Sequence, residues 1–132
     1  RVDDVIIVSG HNIGTAEIES AIDEHENVCE TAIVGYPHQI KGNGIYAFVI
    51  CHNTPENENL LQEEINTLVK KEVGAIAKVY KIQFVSGLPK TRSGKIMRRI
   101  LRKIAEGEGN KLGDTSTLLD PFIVDEIKKG IQ

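Results

Sequence analysis

VCETAIVGY (residues 28–36) and IYAFVICH (residues 45–52) are the two runs on which the fold turns. Both are rich in β-branched and aromatic residues, both are of strand length, and turn residues bound them. Pro37 is expected to stop the first run, because proline has no N–H to give to a ladder. Lys41-Gly-Asn-Gly44 reads as loop, so the two runs form a hairpin with a longish connection.

Upstream, Val5-Ile-Ile-Val8 is a short apolar strand and Ser9-Gly-His-Asn-Ile-Gly14 a glycine-bracketed turn or hairpin. Thr15 is placed to cap a helix reaching His25, with Glu17 and Glu19 in its first turn. Downstream, the polar loop Asn53–Asn59 leads to a helix over Leu60–Val73, in which Leu61, Ile65, Leu68, Val69 and Val73 recur at helical spacing and Gly74 is the stop. Lys81–Val85 is a third strand. Beyond Gly94 a helix carries Ile96, Met97, Ile100, Leu101, Ile104 and Ala105 on one stripe, with Lys95, Arg98, Arg99, Arg102 and Lys103 on the solvated face. A tail over residues 111–132 ends in a short helix to Ile131. The order predicts a single α+β domain over residues 1–132, with a small, mostly antiparallel sheet of about three strands, flanking helices and a short N-terminal hairpin.

The chain has 132 residues, 40% hydrophobic and 27% charged, enough for one domain with a real core. No run approaches the ~20 apolar residues of a membrane helix, so no membrane partner is expected. The sequence begins RVDDVIIV without an initiator methionine or a signal peptide, and is expected to be part of something longer. Cys29 and Cys51 read as reduced thiols, and the four histidines are too scattered for a metal site.

Charge is unevenly placed. The net charge is −3, yet residues 90–103 hold seven of the 16 basic residues and no acid. That asymmetry points to a local anionic partner. The stretch GLPKTRSGKIMRR (residues 87–99) is not a Walker loop: six residues separate Gly87 from Gly94, and Ile96 follows Lys95 where a hydroxyl residue is needed. Nor is nucleic acid the expected partner, since no aromatic residue is interleaved with the cations. A loop that inserts one lysine remains: Pro89 stiffens it, Gly94 turns it, and Lys95 at the helix start carries a compact ammonium on a long stem, suited to charge developing on a phosphoryl or carboxylate group.

PKTRSGKIMRRILRKIA, RVDDVIIVSGHNIGTAEIESAI and LGDTSTLLDP together resemble the C-terminal domain of the AMP-forming acetyl-coenzyme A synthetases, in the adenylate-forming superfamily. The resemblance covers essentially the whole chain. It implies a ligase that makes acetyl-AMP and pyrophosphate from acetate and ATP, then acetyl-CoA and AMP from the adenylate and CoA, with the small domain rotating between the steps. By resemblance, Lys95 is the catalytic adenylation lysine, Asp3 the hinge within residues 1–4, and Arg1 a nucleotide contact. Ser9, Gly10 and His11 would line the pantetheine tunnel. Asn12 stands where an arginine commonly meets the α-phosphate, and Lys70 where an arginine contacts CoA, keeping the charge but losing the bidentate fork.

The same resemblance assigns the ATP loop, the Mg2+ ligand and the acyl pocket to a large N-terminal domain, so the isolated chain is expected to be inactive. A cytoplasmic enzyme is expected, and exposure of Lys95 on a glycine loop would open it to an acetyltransferase and a deacetylase. The alternatives are a propionyl-CoA or other short-chain acyl-CoA synthetase domain and, in a different class, a polyanion-binding module using the basic helix face.

Overall fold

A computed structural model describes residues 5–8, 10–38, 42–107 and 122–130. Strands β1 (Val5–Val8) and β2 (His11–Gly14) pair antiparallel from Val8↔His11 to Val5↔Gly14, and Gly10 at the turn has φ +82°. Ile6, Val8 and Ile13 point into the core, while Val5 and Ile7 face outward at 44% and 53% exposure. The hairpin runs directly into helix α1 (Thr15–Asp23). Gly14, not Thr15, occupies the cap position, and no side chain caps it. Thr15 is instead the first helical residue and is buried.

β3 (Val28–His38) and β4 (Gly42–Cys51) form the long hairpin that the two opening runs predict, in register from Val28↔Cys51 to His38↔Gly42, with a bulge at Cys29. β3 runs past its expected end at Tyr36, and β4 starts before Ile45 and ends at Cys51, one residue short of His52. Pro37 does not stop β3, because β3 is an edge strand and a missing N–H on the open side costs no ladder bond. Gly44, expected in the loop, is strand and lies opposite Tyr36, where a Cβ would come within 2.6 Å of the ring. Glycine is therefore what allows that ring to lie across the partner strand.

Helix α2 (Glu58–Glu72) is capped by Asn57, whose side-chain oxygen accepts the Leu60 N–H at 3.1 Å. After a 3-10 turn at Ala75–Ala77, β5 (Val79–Phe84) joins the sheet in the order β3-β4-β5. Asn66 of α2 latches the start of β5 by accepting the Val79 N–H at 2.9 Å and donating to its carbonyl at 3.2 Å. β5 is parallel to β4, since a chain that crosses over through a helix re-enters the sheet in its original direction. The sheet is thus mixed within the expected α+β class.

Both faces of this sheet are covered, and β4 alternates between them. Ile45, Ala47 and Val49 join Ile6, Val8 and Ile13 of the first hairpin, Ile18 and Ile22 of α1, and Leu61, Ile65 and Val69 of α2 in a first core. Tyr46 and Phe48, stacked at 4.5 Å, face a second core closed by helices α3 (Arg98–Ala105) and α4 (Phe122–Lys129). Each fully buried Ile, Leu or Phe contributes about 1.5–3 kcal/mol by leaving water. A buried polar relay fixes α4: the Tyr46 hydroxyl donates to Gln83 at 2.7 Å, and the Gln83 amide donates to the Ile127 carbonyl at 2.8 Å.

Candidate functional site

The chain between β5 and α3 is a third hairpin, small and closely tied. Leu88 and Pro89 are buried at its base, and Gly87 packs against Ile123 of α4, 3.1 Å from where a Cβ would be. Lys90 bridges antiparallel to Ile96, and the Met97 N–H donates to the Pro89 carbonyl at 2.8 Å. At the tip, Gly94 N–H donates to the Thr91 carbonyl and Thr91 N–H to the Lys95 carbonyl, both at 2.9 Å. This is the three-residue hairpin loop with a glycine bulge, and Gly94 supplies the required left-handed backbone at φ +89°. The Thr91 hydroxyl lies 2.8 Å from that of Ser93 and accepts the Lys95 N–H at 3.3 Å. Thr-Arg-Ser-Gly-Lys is therefore a turn whose shape follows from its residues.

This geometry corrects one expectation. Lys95 is not at the start of a helix; α3 begins at Arg98, and Lys95 and Ile96 belong to the hairpin. The positive φ of Gly94 and the bridge to Lys90 keep the intervening backbone out of helical conformation, although Ile96 and Met97 still pack on the second core. Lys95 is exposed, and its ammonium meets no carboxylate among the described residues; the same holds for Arg92 at the tip.

The basic residues at the base behave differently. Lys90 pairs with Glu30 of β3 at 2.8 Å. Arg98, expected on the solvated face, turns inward: one guanidinium nitrogen reaches both oxygens of Glu19 of α1, at 2.7 and 2.6 Å. Glu19 also accepts the Ile33 N–H at 2.9 Å, satisfying an outward-facing donor on the edge of β3. Arg98 and Glu19 side chains are only 22% and 14% exposed, and Arg98 Nε is buried without a hydrogen-bond partner, so removing either member would leave a poorly solvated charge behind. Asp23 lies nearby. Its carboxyl is held above the ordinary range, chiefly by burial, with Glu19 and Glu30 adding repulsion and the Thr31 hydroxyl opposing.

The remaining expected site residues are elsewhere. Gly10, His11 and Asn12 are exposed at the tip and second strand of the β1–β2 hairpin, and Lys70 is exposed in the last turn of α2. These elements all build the first core, whereas Leu88, Ile96 and Met97 of the lysine hairpin pack on the second. The two groups are thus rooted in cores on opposite faces of the sheet. Arg1, Asp3 and Ser9 lie outside the described residues, as does Ile131, the expected end of the last helix. Glu30 was not singled out from sequence and Glu19 only as a first-turn acid, because they meet Lys90 and Arg98 across 60 and 79 positions with no local signal.

Residues 17–95, from the first turn of α1 to Lys95 itself, match the family described as AMP-binding enzyme C-terminal domain. The chain belongs to that family. An acetyl-coenzyme A synthetase of Bradyrhizobium diazoefficiens is 61% identical over all 132 residues, which make up 20% of that relative. An acyl-CoA synthetase of Brucella canis, known from its crystal structure, superposes with a TM-score of 0.74 at 44% identity, over 84% of this chain and 20% of its own. ATP-bound MatB from Rhodopseudomonas palustris follows at 0.71 and 27%, over 83% and 21%. The chain therefore spans about a fifth of the length of the curated relatives it matches. In this AMP-binding C-terminal domain, no described helix is long and apolar enough to cross a membrane, and no group of three described His, Cys, Asp or Glu side chains is placed to hold a metal ion. Both cysteines are free.

Proposed function

We propose that this domain is the C-terminal lid of an AMP-forming acetyl-CoA synthetase, which converts acetate, ATP and CoA into acetyl-CoA, AMP and pyrophosphate through acetyl-AMP. The observation that carries the reading is that two exposed tips are rooted in different cores, the Lys95 hairpin through Leu88, Ile96 and Met97 in the second and the Gly10–His11 turn through Ile6, Val8 and Ile13 in the first. One rigid body cannot present both tips to a single reaction centre in one orientation. Turning it exchanges a cation for a neutral backbone edge, which matches the needs of two successive half-reactions.

In the first half-reaction Lys95 enters the site supplied by the large N-terminal domain, where ATP and Mg2+ are held. Its ammonium bridges the attacking acetate and the adenylate oxygens. A preorganised cation in a water-poor site lowers the barrier by about 3 kcal/mol, or a hundred-fold or more in rate. Asp3 is the hinge, and Arg1 and Asn12 contact the nucleotide, Asn12 by a hydrogen bond without charge. After rotation, Ser9, Gly10 and His11 line the path of the CoA thiol, and Lys70 contributes a charge towards the CoA nucleotide. The name shared by the curated relatives supports acetate over propionate as the acyl group. The polyanion reading loses ground because Arg98 and Lys90 are committed to internal carboxylates.

We place the enzyme in the cytoplasm, where an acetyltransferase and a deacetylase would act on Lys95 as an exposed side chain. The test uses the full-length parent enzyme with Lys95→Ala and separates the half-reactions. Acetate-dependent ATP–pyrophosphate exchange falls a hundred-fold or more while thioester formation from supplied acetyl-AMP and CoA survives. If both persist at wild-type rates, Lys95 is a surface residue and the assignment is wrong.

A further inference from the structure

The hydrogen bonds within Thr91–Lys95 fix the shape of the tip but not its direction. Direction is set by whatever holds the two stems: Leu88, Ile96 and Met97 seat them on the second core, and an ion pair lies beside each, Lys90 on the entering stem and Arg98 at the start of α3. On the entering stem, Lys90 reaches Glu30 of β3 at 2.8 Å. On the leaving side, Arg98 reaches Glu19, which in turn holds the Ile33 N–H of the same strand. β3 is therefore the common frame of both contacts, and the tip stands between them.

We propose that Glu19, Glu30, Lys90 and Arg98 are positioning residues for the adenylation half-reaction, bracing the hairpin against β3 so that Lys95 arrives aimed rather than free to swing. The inference rests on the reading of Lys95 given above. It follows from the arithmetic of lever arms: the stems are short, the ammonium sits at the end of a long side chain, and a small tilt at the base becomes a larger displacement at the tip. A misplacement of about 1 Å costs on the order of a hundred-fold in rate where catalysis depends on oriented charge. An ion pair exposed to about a third on each side, as Lys90–Glu30 is, adds little to global stability. A large kinetic effect with an unchanged fold is thus the signature of positioning.

The experiment again uses the full-length enzyme and both half-reactions. Lys90→Met lowers kcat for ATP–pyrophosphate exchange by about tenfold, leaves KM for ATP and acetate within about twofold, and leaves thioester formation from acetyl-AMP near wild type, with an unchanged Tm. Lys90→Arg, which keeps the charge, restores most of the exchange rate. Glu30→Gln reproduces Lys90→Met from the other side of the pair, and Glu19→Gln serves as a deeper variant read only if its Tm shows that it folds. Exchange that is unaffected by Lys90→Met and Glu30→Gln overturns the proposal. So does loss of both half-reactions together with a lowered Tm, which marks a structural role. Lys95→Ala is measured alongside: if it spares exchange, the catalytic reading itself fails. If it abolishes exchange while Lys90→Met does not, only the bracing fails.

Discussion

The β1–β2 hairpin and the hairpin of Lys95 solve one problem in different ways. The β1–β2 hairpin is held from beneath by apolar contact, with Ile6, Val8 and Ile13 buried and Val5 and Ile7 left outside. The hairpin of Lys95 seats Leu88, Ile96 and Met97 on the second core and adds polar contact, with hydroxyl and backbone bonds at its tip and ion pairs at its base. An apolar foundation suits a tip made of neutral backbone. At the base of the Lys95 hairpin the cations Lys90 and Arg98 are neutralised by acids drawn from β3 and α1, which removes their repulsion of the tip. At the tip, Arg92 and Lys95 are left without such a partner among the described residues.

The largest expected effect tests whether the two foundations are independent. Phe48→Ala in the second core removes a fully buried ring and costs about 3–5 kcal/mol, and Ile65→Ala in the first costs about 2–5. Urea denaturation followed by far-UV circular dichroism gives one transition for both variants, since β3 and β4 are common to the two cores; two separate transitions would break the picture of a single cooperative sheet. Next in size, at about 3 kcal/mol in barrier, Lys95→Gln depresses adenylation in the parent enzyme without touching thioester formation. His11→Ala does the reverse, more weakly. If both variants slow the same half-reaction, the contrast between the tips has no functional content.

Smaller still, Gly94→Ala and Gly10→Ala each force a Cβ into left-handed backbone, at φ +89° and +82°, where no atom lies within 4 Å to clash. The cost is conformational alone, about 1–2 kcal/mol each by thermal unfolding. Equal costs would show that the two turns differ in what they carry and not in how tightly they bend. The smallest effect concerns Asp23. Its raised carboxyl favours the protonated form in the folded state, so its contribution is fully present below the ordinary value of 3.8 and is lost as pH rises through the raised value. Asp23→Asn accordingly raises the urea midpoint slightly at pH 7 and leaves it unchanged at pH 3.5.

Most of the fold was legible because its signals are local. The alternation in β3 and β4, the period of α2 and the glycine at each turn all lie within a few residues of what they determine. The misreadings have a common origin in contacts made at a distance. Pro37 reads as a stop until the strand is known to be an edge, and Gly44 reads as loop until Tyr36 is seen lying across it. Ile96 and Met97 extend the apolar period of α3 although the helix starts at Arg98, because a strand-like segment meets the same core. Within the candidate site, the turn chemistry of Thr91–Lys95 could be read directly, whereas its bracing by Glu19 and Glu30 could not. Arg98 looks like one more cation on a wet helical face until its partner, 79 positions earlier, is in place.

The relay from Tyr46 through Gln83 to Ile127 also imposes a timetable on synthesis. Gln83 and Ile127 are separated by 44 positions, which a ribosome adding about 5–20 residues per second takes about 2–9 s to cover. By the time Ile82 has emerged, every residue of the first core is available. Tyr46 and Phe48 must wait for α3 and then α4. During that interval the nascent chain carries a half-dressed sheet whose bare side holds its stacked aromatic pair, open to chaperones and to neighbouring chains on the same message, and the arrival of α4 ends the exposure.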